Sequence, residues 1–347
     1  MTNIITTLPY FGGMKSCIGG RNDNQDSCGY CETLSGLLVV VCDGMGGGPS
    51  GKLASSMAVK EILTYVNNID PNLIGKKEEE NLIVEAIKKA NLAIYNHGRD
   101  NEETRGMGTT VVAMLINKEY AVVAHVGDSR CYQMRNGNII FKTNDHSVVA
   151  ELVRSGAITE EQARVSPNSN VITRALGLKE DVQVEVDILP YEKNDRFYLC
   201  SDGIWGTMPQ DALKKQFYRF PNIGNILDST AMLTDEIGTQ NGGHHDNHTL
   251  LIVETKIKSK LTTKMKKRDK IIMIVLASLL AVSLLVNILA VVGRTYTFDL
   301  HKENADMKIQ IDSLMKAIND NNKIEAIEKA FNHNNGTTSE EQDRDND

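Results

Sequence analysis

Four acidic residues stand where apolar, strand-like runs stop. Asp43 follows Leu37 to Cys42, Asp128 follows Ala121 to Val126, Asp202 follows Arg196 to Cys200, and Asp246 leads into a last run, HTLLIVE. An unpaired carboxylate at the mouth of a core strand costs roughly several kcal/mol, so each acid calls for a cation or donors nearby. Hard oxygen ligands of this kind select Mg²⁺ or Mn²⁺ over zinc. Two such ions about 3.5–4 Å apart share a bridging water, lower its pKa and clamp an in-line displacement at phosphorus. Arg21, in the polar stretch GGRNDNQDSCGY with Asp23, Asn24, Gln25 and Asp26, has the chemistry to grip the remaining phosphate oxygens. The constellation predicts a metal-dependent phosphate-ester hydrolase.

The stretch LLVVVCDGMGGGPSGK around Asp43 admits two other readings. Asp43-Gly44 is a common turn pair. Gly46 to Lys52 also fits the phosphate-cradling GxxxxGK pattern, but that loop needs a Ser or Thr after the lysine to carry Mg²⁺, and Leu53 has no oxygen to offer. His244, His245 and His248 suggest zinc, yet H-H-D-N-H lacks i, i+4 helical geometry and follows two glycines, so zinc is set aside. Cys28-x-x-Cys31 has no second pair and reads as structural.

The elements that must position these groups follow from periodicity. The unbroken apolar run Leu37 to Cys42 is that of a strand buried on both faces. Helical spacing of apolar residues covers Leu53 to Asn67 and Asn81 to Asn96, with His97 expected just beyond. Strands are expected over Gly108 to Ile116, Ala121 to Val126, Arg130 to Met134 and Ile139 to Lys142, the last two joined by a hairpin at Asn136-Gly137. Further helices are expected over Val148 to Ser155, Gln210 to Phe217 and Ile226 to Ile237, and Trp205 is expected to anchor the core.

A chain of 347 residues with 41% hydrophobic content can bury a large core. Its formal net charge of −7 gives no reason to expect nucleic acid. The six scattered cysteines suit reduced, buried thiols, and Met1 to Ser16 lacks the basic start and apolar core of a cleavable signal peptide.

In their order, RNDNQDS, VVVCDGMGGG, GMGTTVVA, AHVGDSR, NDHS, ITRALG, SDGIW and GGHHDNHT resemble the motifs of the PPM family of protein phosphatases, also called PP2C, over roughly residues 10 to 255. The resemblance implies an α+β fold, a four-layer αββα sandwich of two antiparallel sheets flanked by helices. It implies Mn²⁺ or Mg²⁺ as cofactor, two ions and room for a third, and hydrolysis of phosphoserine and phosphothreonine in proteins by a metal-bridging hydroxide, opposing a serine/threonine kinase. By the same resemblance Asp43 bridges both metals, Gly44 lends its backbone carbonyl, Asp202 and Asp246 hold one ion, Asp26 acts through metal-bound water, and Arg21 binds the phosphate. Asp128 with Asp202 matches a third, weaker site, which Gly206 leaves open because many relatives carry a further acid there. Met45 stands where eukaryotic members have a histidine that protonates the leaving alcohol, a methionine that bacterial-type members share. Gln25 replaces a glutamate of some relatives, and Gly156 to Asn170 corresponds to the variable flap. The alternative is a catalytically inactive module of the same fold that binds phosphoproteins; the complete acid set speaks for the enzyme.

Beyond the domain expected over 1–255 come a basic linker over 256–270, KIKSKLTTKMKKRDK, and the charge-free run IIMIVLASLLAVSLLVNILAVV over 271–292. About twenty apolar residues suffice to cross a bilayer. The expectation is a single-pass membrane protein with a cytoplasmic phosphatase domain, a linker suited to anionic lipid, and an extracytoplasmic tail over 293–347. Asp299 to Phe331 has helical spacing with partial heptad character, which fits pairing with a second copy or with another membrane protein, or a lone amphipathic helix, and the composition after Asn332 is that of disorder.

Overall fold

Strand β4 (Gly36–Met45) divides its side chains between two cores. Leu38, Val40 and Cys42 pack beneath helices α1 (Pro49–Asn68) and α2 (Glu79–Asp100), whereas Leu37, Val39 and Val41 pack against a second sheet. The two-residue period of a strand makes this division automatic once both faces are covered. The computed structural model describes residues 2–69, 79–168, 171–261, 274–275, 278–285 and 300–319.

The remaining strands are β1 (Asn3–Thr7), β2 (Tyr10–Cys17), β3 (Asp26–Thr33), β5 (Gly108–Thr109), β6 (Val111–Ile116), β7 (Ala121–Val126), β8 (Arg130–Arg135), β9 (Asn138–Lys142), β10 (Glu185–Leu189), β11 (Arg196–Cys200) and β12 (His248–Thr255). One sheet runs β1-β2-β12-β11-β8-β9 and the other β10-β7-β6-β4-β3, with β5 attached to β4, and every pairing is antiparallel. Their facing surfaces bury Val39, Val41, Met114, Phe197, Leu199, Leu251 and Val253. Helices α6 (Gln210–Tyr218) and α7 (Ile223–Gln240) cover the outer face of the first sheet, with Tyr198, Phe217, Leu227 and Ile252 between. The order helix, sheet, sheet, helix is the expected sandwich.

Several local expectations change. Asp43-Gly44 is no turn: β4 continues through it to Met45, and the chain turns at Gly46, Gly47 and Gly48, all at positive φ. That early turn lets α1 begin at Pro49, a residue preorganised for a first helical turn, rather than at Leu53. His97 lies inside the last turn of α2, where its Nδ1 meets the Thr104 hydroxyl at 3.1 Å. Asn136 and Gly137 both have positive φ, as a two-residue hairpin of type I′ requires. Helix α3 (Val148–Arg154) leads into the expected flap, whose described part contains the short helix α4 (Glu160–Arg164), opened by a capping box between Thr159 and Gln162.

The chain divides into two units, Met1–Lys266 and Lys267–Asp347. In the second, α8 (Leu300–Asn319) bears out a helical tail as far as 319; residues 320–347, including the stretch expected to be disordered, lie outside the described residues. The expected membrane placement is corrected. Among the described residues no helix is long and apolar enough to cross a membrane. Of the expected span 271–292, residues 274–275 and 278–285 are described, and both stretches are helical. The rest of 271–292 and most of the linker lie outside the described residues. The single-pass placement, the cytoplasmic and extracytoplasmic sides assigned from it, and the lipid contact have no support among the described residues.

Candidate metal centre

The start of β3 and the end of β4 lie side by side, so that Asp26 is the register partner of Asp43. Asp128 sits between the end of β7 and the start of β8, Asp202 opens helix α5 (Asp202–Trp205) directly after β11, and Asp246 precedes β12. Strand termini from both sheets thus deliver acids to one end of the sandwich. The carboxyl groups of Asp43 and Asp202 lie close enough to act on one another, and the charges of Asp26, Asp128 and Asp202 all act on Asp43.

This clustering shows in the protonation of the acids. Burial, then repulsion from Asp202 and Asp246, pushes the Asp26 carboxyl up to about 7. Burial and Asp246 push Asp202 up to about 6. Asp43 and Asp128 stand well above the usual carboxylate range, burial being the main cause in both and neighbouring acids the second. One oxygen each of Asp26 and Asp202, Oδ1 in both, is buried without a hydrogen-bond partner. Buried carboxylate oxygens that repel one another and lack donors are what a hard divalent cation satisfies, so the donor set fits Mn²⁺ or Mg²⁺.

Hydrogen bonds hold the acids in place. Ser201 Oγ donates to Asp26 Oδ2 at 2.7 Å, and the Asp43 amide donates to Thr110 Oγ1 at 3.0 Å. Trp205 is buried as expected, but its indole Nε1 also donates to the Asp128 carbonyl at 3.0 Å. The Arg130 guanidinium lies 3.5 Å over that indole ring and pairs bidentately with Asp145 at 2.8 and 2.6 Å. Gly44 tolerates no side chain, since a Cβ would come within 2.0 Å of the Gly51 carbonyl oxygen.

Arg21 is half-exposed at the rim, its Nη2 donating to Asp246 Oδ2 at 2.8 Å. Asn247 fastens its loop: Nδ2 donates to the carbonyls of Ile18 and Asp23 at 2.7 and 2.9 Å, and Oδ1 accepts from the Gln25 amide at 2.8 Å. Apart from adjacency to a site acid or a site strand, the sequence pattern carries no sign of this clamp, nor of the roles of Ser201 and Thr110. Cys28 and Cys31 turn to opposite cores and form no metal pair. Gly206 closes α5 and leaves Asp128 and Asp202 without a further acid at that position.

A family model described as protein phosphatase 2C matches residues 15–231. The chain belongs to the protein phosphatase 2C family. It is 33% identical over 246 residues to the serine/threonine phosphatase stp of Listeria monocytogenes serotype 4b, spanning 69% of this chain and 93% of that one. It is 31% identical to the protein phosphatase PhpP of Streptococcus pneumoniae D39, spanning 67% and 92%. Among solved structures it resembles serine/threonine phosphatase Stp1 from Staphylococcus aureus, with TM-score 0.65, 30% identity and coverage of 73% of this chain and 96% of that one. It also resembles the catalytic domain of the phosphatase PstP in complex with two manganese ions, with TM-score 0.58, 26% identity and coverage of 71% and 97%. Membership places this protein among metal-dependent protein serine/threonine phosphatases.

Proposed function

We propose that this phosphatase hydrolyses phosphoserine and phosphothreonine in proteins and opposes a serine/threonine kinase, with residues 1–255 as its catalytic domain. The carrying observation is the apposition of Asp26 and Asp43 with Asp202 beside them, one oxygen each of Asp26 and Asp202 being buried without a hydrogen-bond partner. Asp43, the Gly44 carbonyl, Asp202, Asp246 and Asp26 would hold two Mn²⁺ or Mg²⁺ ions, and Asp128 with Asp202 a third. When bound, such ions supply a water of lowered pKa and positive charge for the phosphate oxygens.

The chain's own residues do the rest. Arg21, partly exposed and already shaped to a carboxylate, turns its planar donors to a phosphate dianion in the same way. Asn247 keeps that loop against β12, so Arg21 and Asp246 move as one piece. Met45, at the end of β4, carries no transferable proton, so the leaving alcohol takes its proton from water or another group. For the tail helix α8 we propose a second copy of the chain as partner.

The test is Mn²⁺-dependent hydrolysis of an aryl phosphate and of a phosphothreonine peptide by the full chain and by Asp43→Asn. Turnover of both substrates, lost in the variant, is expected. Equal rates for the two proteins would reject the enzyme reading.

A further inference from the structure

On the outer face of the first sheet, at the loop that delivers Asp246, a second group of ligating side chains meets. Asp235 comes from α7, His245 from the loop after it, and His248 from the first position of β12. Asp235 Oδ1 lies 3.0 Å from His245 Nε2 and 3.6 Å from His248 Nε2. The His248 side chain is 1% exposed, and its Nε2 is buried with no hydrogen-bond partner. His248 Nδ1 faces the Asp246 carbonyl oxygen at 3.4 Å, and the tautomer that donates there leaves a lone pair on Nε2 aimed at the carboxylate. The unpartnered imidazole nitrogen is buried while Asp235 is half-exposed at the edge of the group, so a cation between them would satisfy both and could enter from the Asp235 side.

The site is also built around its ligands. Gly238, one turn after Asp235 on α7, makes room for the His245 ring: a Cβ there would come within 2.1 Å of it. Cys17 is the register partner of His248 on β2, so the two side chains share a face at a Cβ separation of about 5 Å. Imidazole, carboxylate and a thiol alongside are donors of a borderline-soft ion, unlike the all-oxygen set of the catalytic end. A histidine whose second nitrogen donates to a backbone carbonyl is the usual outer support of such a ligand.

We propose that Asp235, His245 and His248 form a structural site for Zn²⁺ or a cation of the same class, separate from the catalytic centre, which ties the loop 241–247 to α7. The site does not depend on the phosphatase reading. Its position makes the ion a clasp immediately before Asp246 and behind the Arg21 loop, whose Gly20 amide donates to the His245 carbonyl at 3.0 Å.

The experiment equilibrates the full chain with Zn²⁺ under excess Mg²⁺, dialyses it, counts zinc per chain and records X-ray absorption at the zinc edge. Expected is one retained zinc with imidazole nitrogens at about 2.0–2.1 Å; a sulfur at about 2.3 Å would add Cys17 as fourth ligand. Asp235→Asn, half-exposed and near-isosteric, and His245→Gln should each weaken zinc retention about 10-fold or more. Asp43→Asn should keep its zinc, which separates this site from the catalytic one. Zinc held equally by Asp235→Asn and His245→Gln, or a zinc edge showing oxygen neighbours alone, would overturn the proposal.

Discussion

Asp26 and Asp43 stand directly opposite one another across the β3–β4 pair, and neither has a basic partner among the described residues. Like charges directly opposed in a sheet are destabilising. Their persistence is explained by a function that needs both.

Asp43→Asn separates activity from stability. Removing a group that stabilises developing charge should lower Mn²⁺-dependent turnover on the order of 10²-fold or more. The same change relieves repulsion with Asp26, Asp202 and Asp128, so the metal-free variant should melt higher than the metal-free parent. Steady-state rates and thermal melts in chelator read the two effects.

The acids also set a pH dependence. In the metal-free chain Asp26 stands at about 7 and Asp202 at about 6, above the value of about 3.9 for an unfolded aspartate. Between about pH 4 and 7 the folded state therefore binds more protons than the unfolded one, and this cluster's contribution to stability falls as pH rises. The loss is on the order of a few kcal/mol. Melting temperature without metal should drop from pH 5 to pH 7.5, and added Mn²⁺ should restore it more at pH 7.5, where it meets less competition from protons. A metal-free melting temperature that rises over this range would contradict the assignment.

Arg21→Ala should raise KM for a phosphopeptide and reduce kcat/KM about 10–100-fold, roughly the 1.4–2.7 kcal/mol of a charge-assisted pair. Arg21→Lys should recover little, because an ammonium cannot span two phosphate oxygens as the planar fork does.

Asn247→Ala removes three hydrogen bonds that join the Arg21 loop to β12. At about 1 kcal/mol each, denaturant unfolding should show a loss of about 2–4 kcal/mol. By contrast Lys52→Ala breaks only a surface pair with Asp23 at 3.1 Å and should leave turnover near that of the parent. Abolished activity in Lys52→Ala would revive a nucleotide-binding loop at Gly46 to Lys52.

Elements were legible where local pattern and burial agree. β4 reads as a core strand because both its faces are covered, and the β8–β9 hairpin reads from Asn136-Gly137 alone. β2 was not legible: Gly12 and Gly13 break its pattern, and the reason for Gly12 is across the sheet, where a Cβ would meet the Ile252 carbonyl oxygen at 2.5 Å. β10 was missed because Glu185 and Asp187 interrupt an edge strand that only one neighbour covers.

The sequence by itself determined the ligand chemistry: which acids stand at strand ends, that their oxygens suit hard divalent ions, and that an arginine waits beside them, since side-chain type and local period are written residue by residue. Tertiary structure alone decided which groups meet. The register that sets Asp26 against Asp43, the reach of Asn247 to the Arg21 loop, and the approach of Asp235 to His245 and His248 are separations in space that sheet pairing and helix packing impose on residues far apart in the chain.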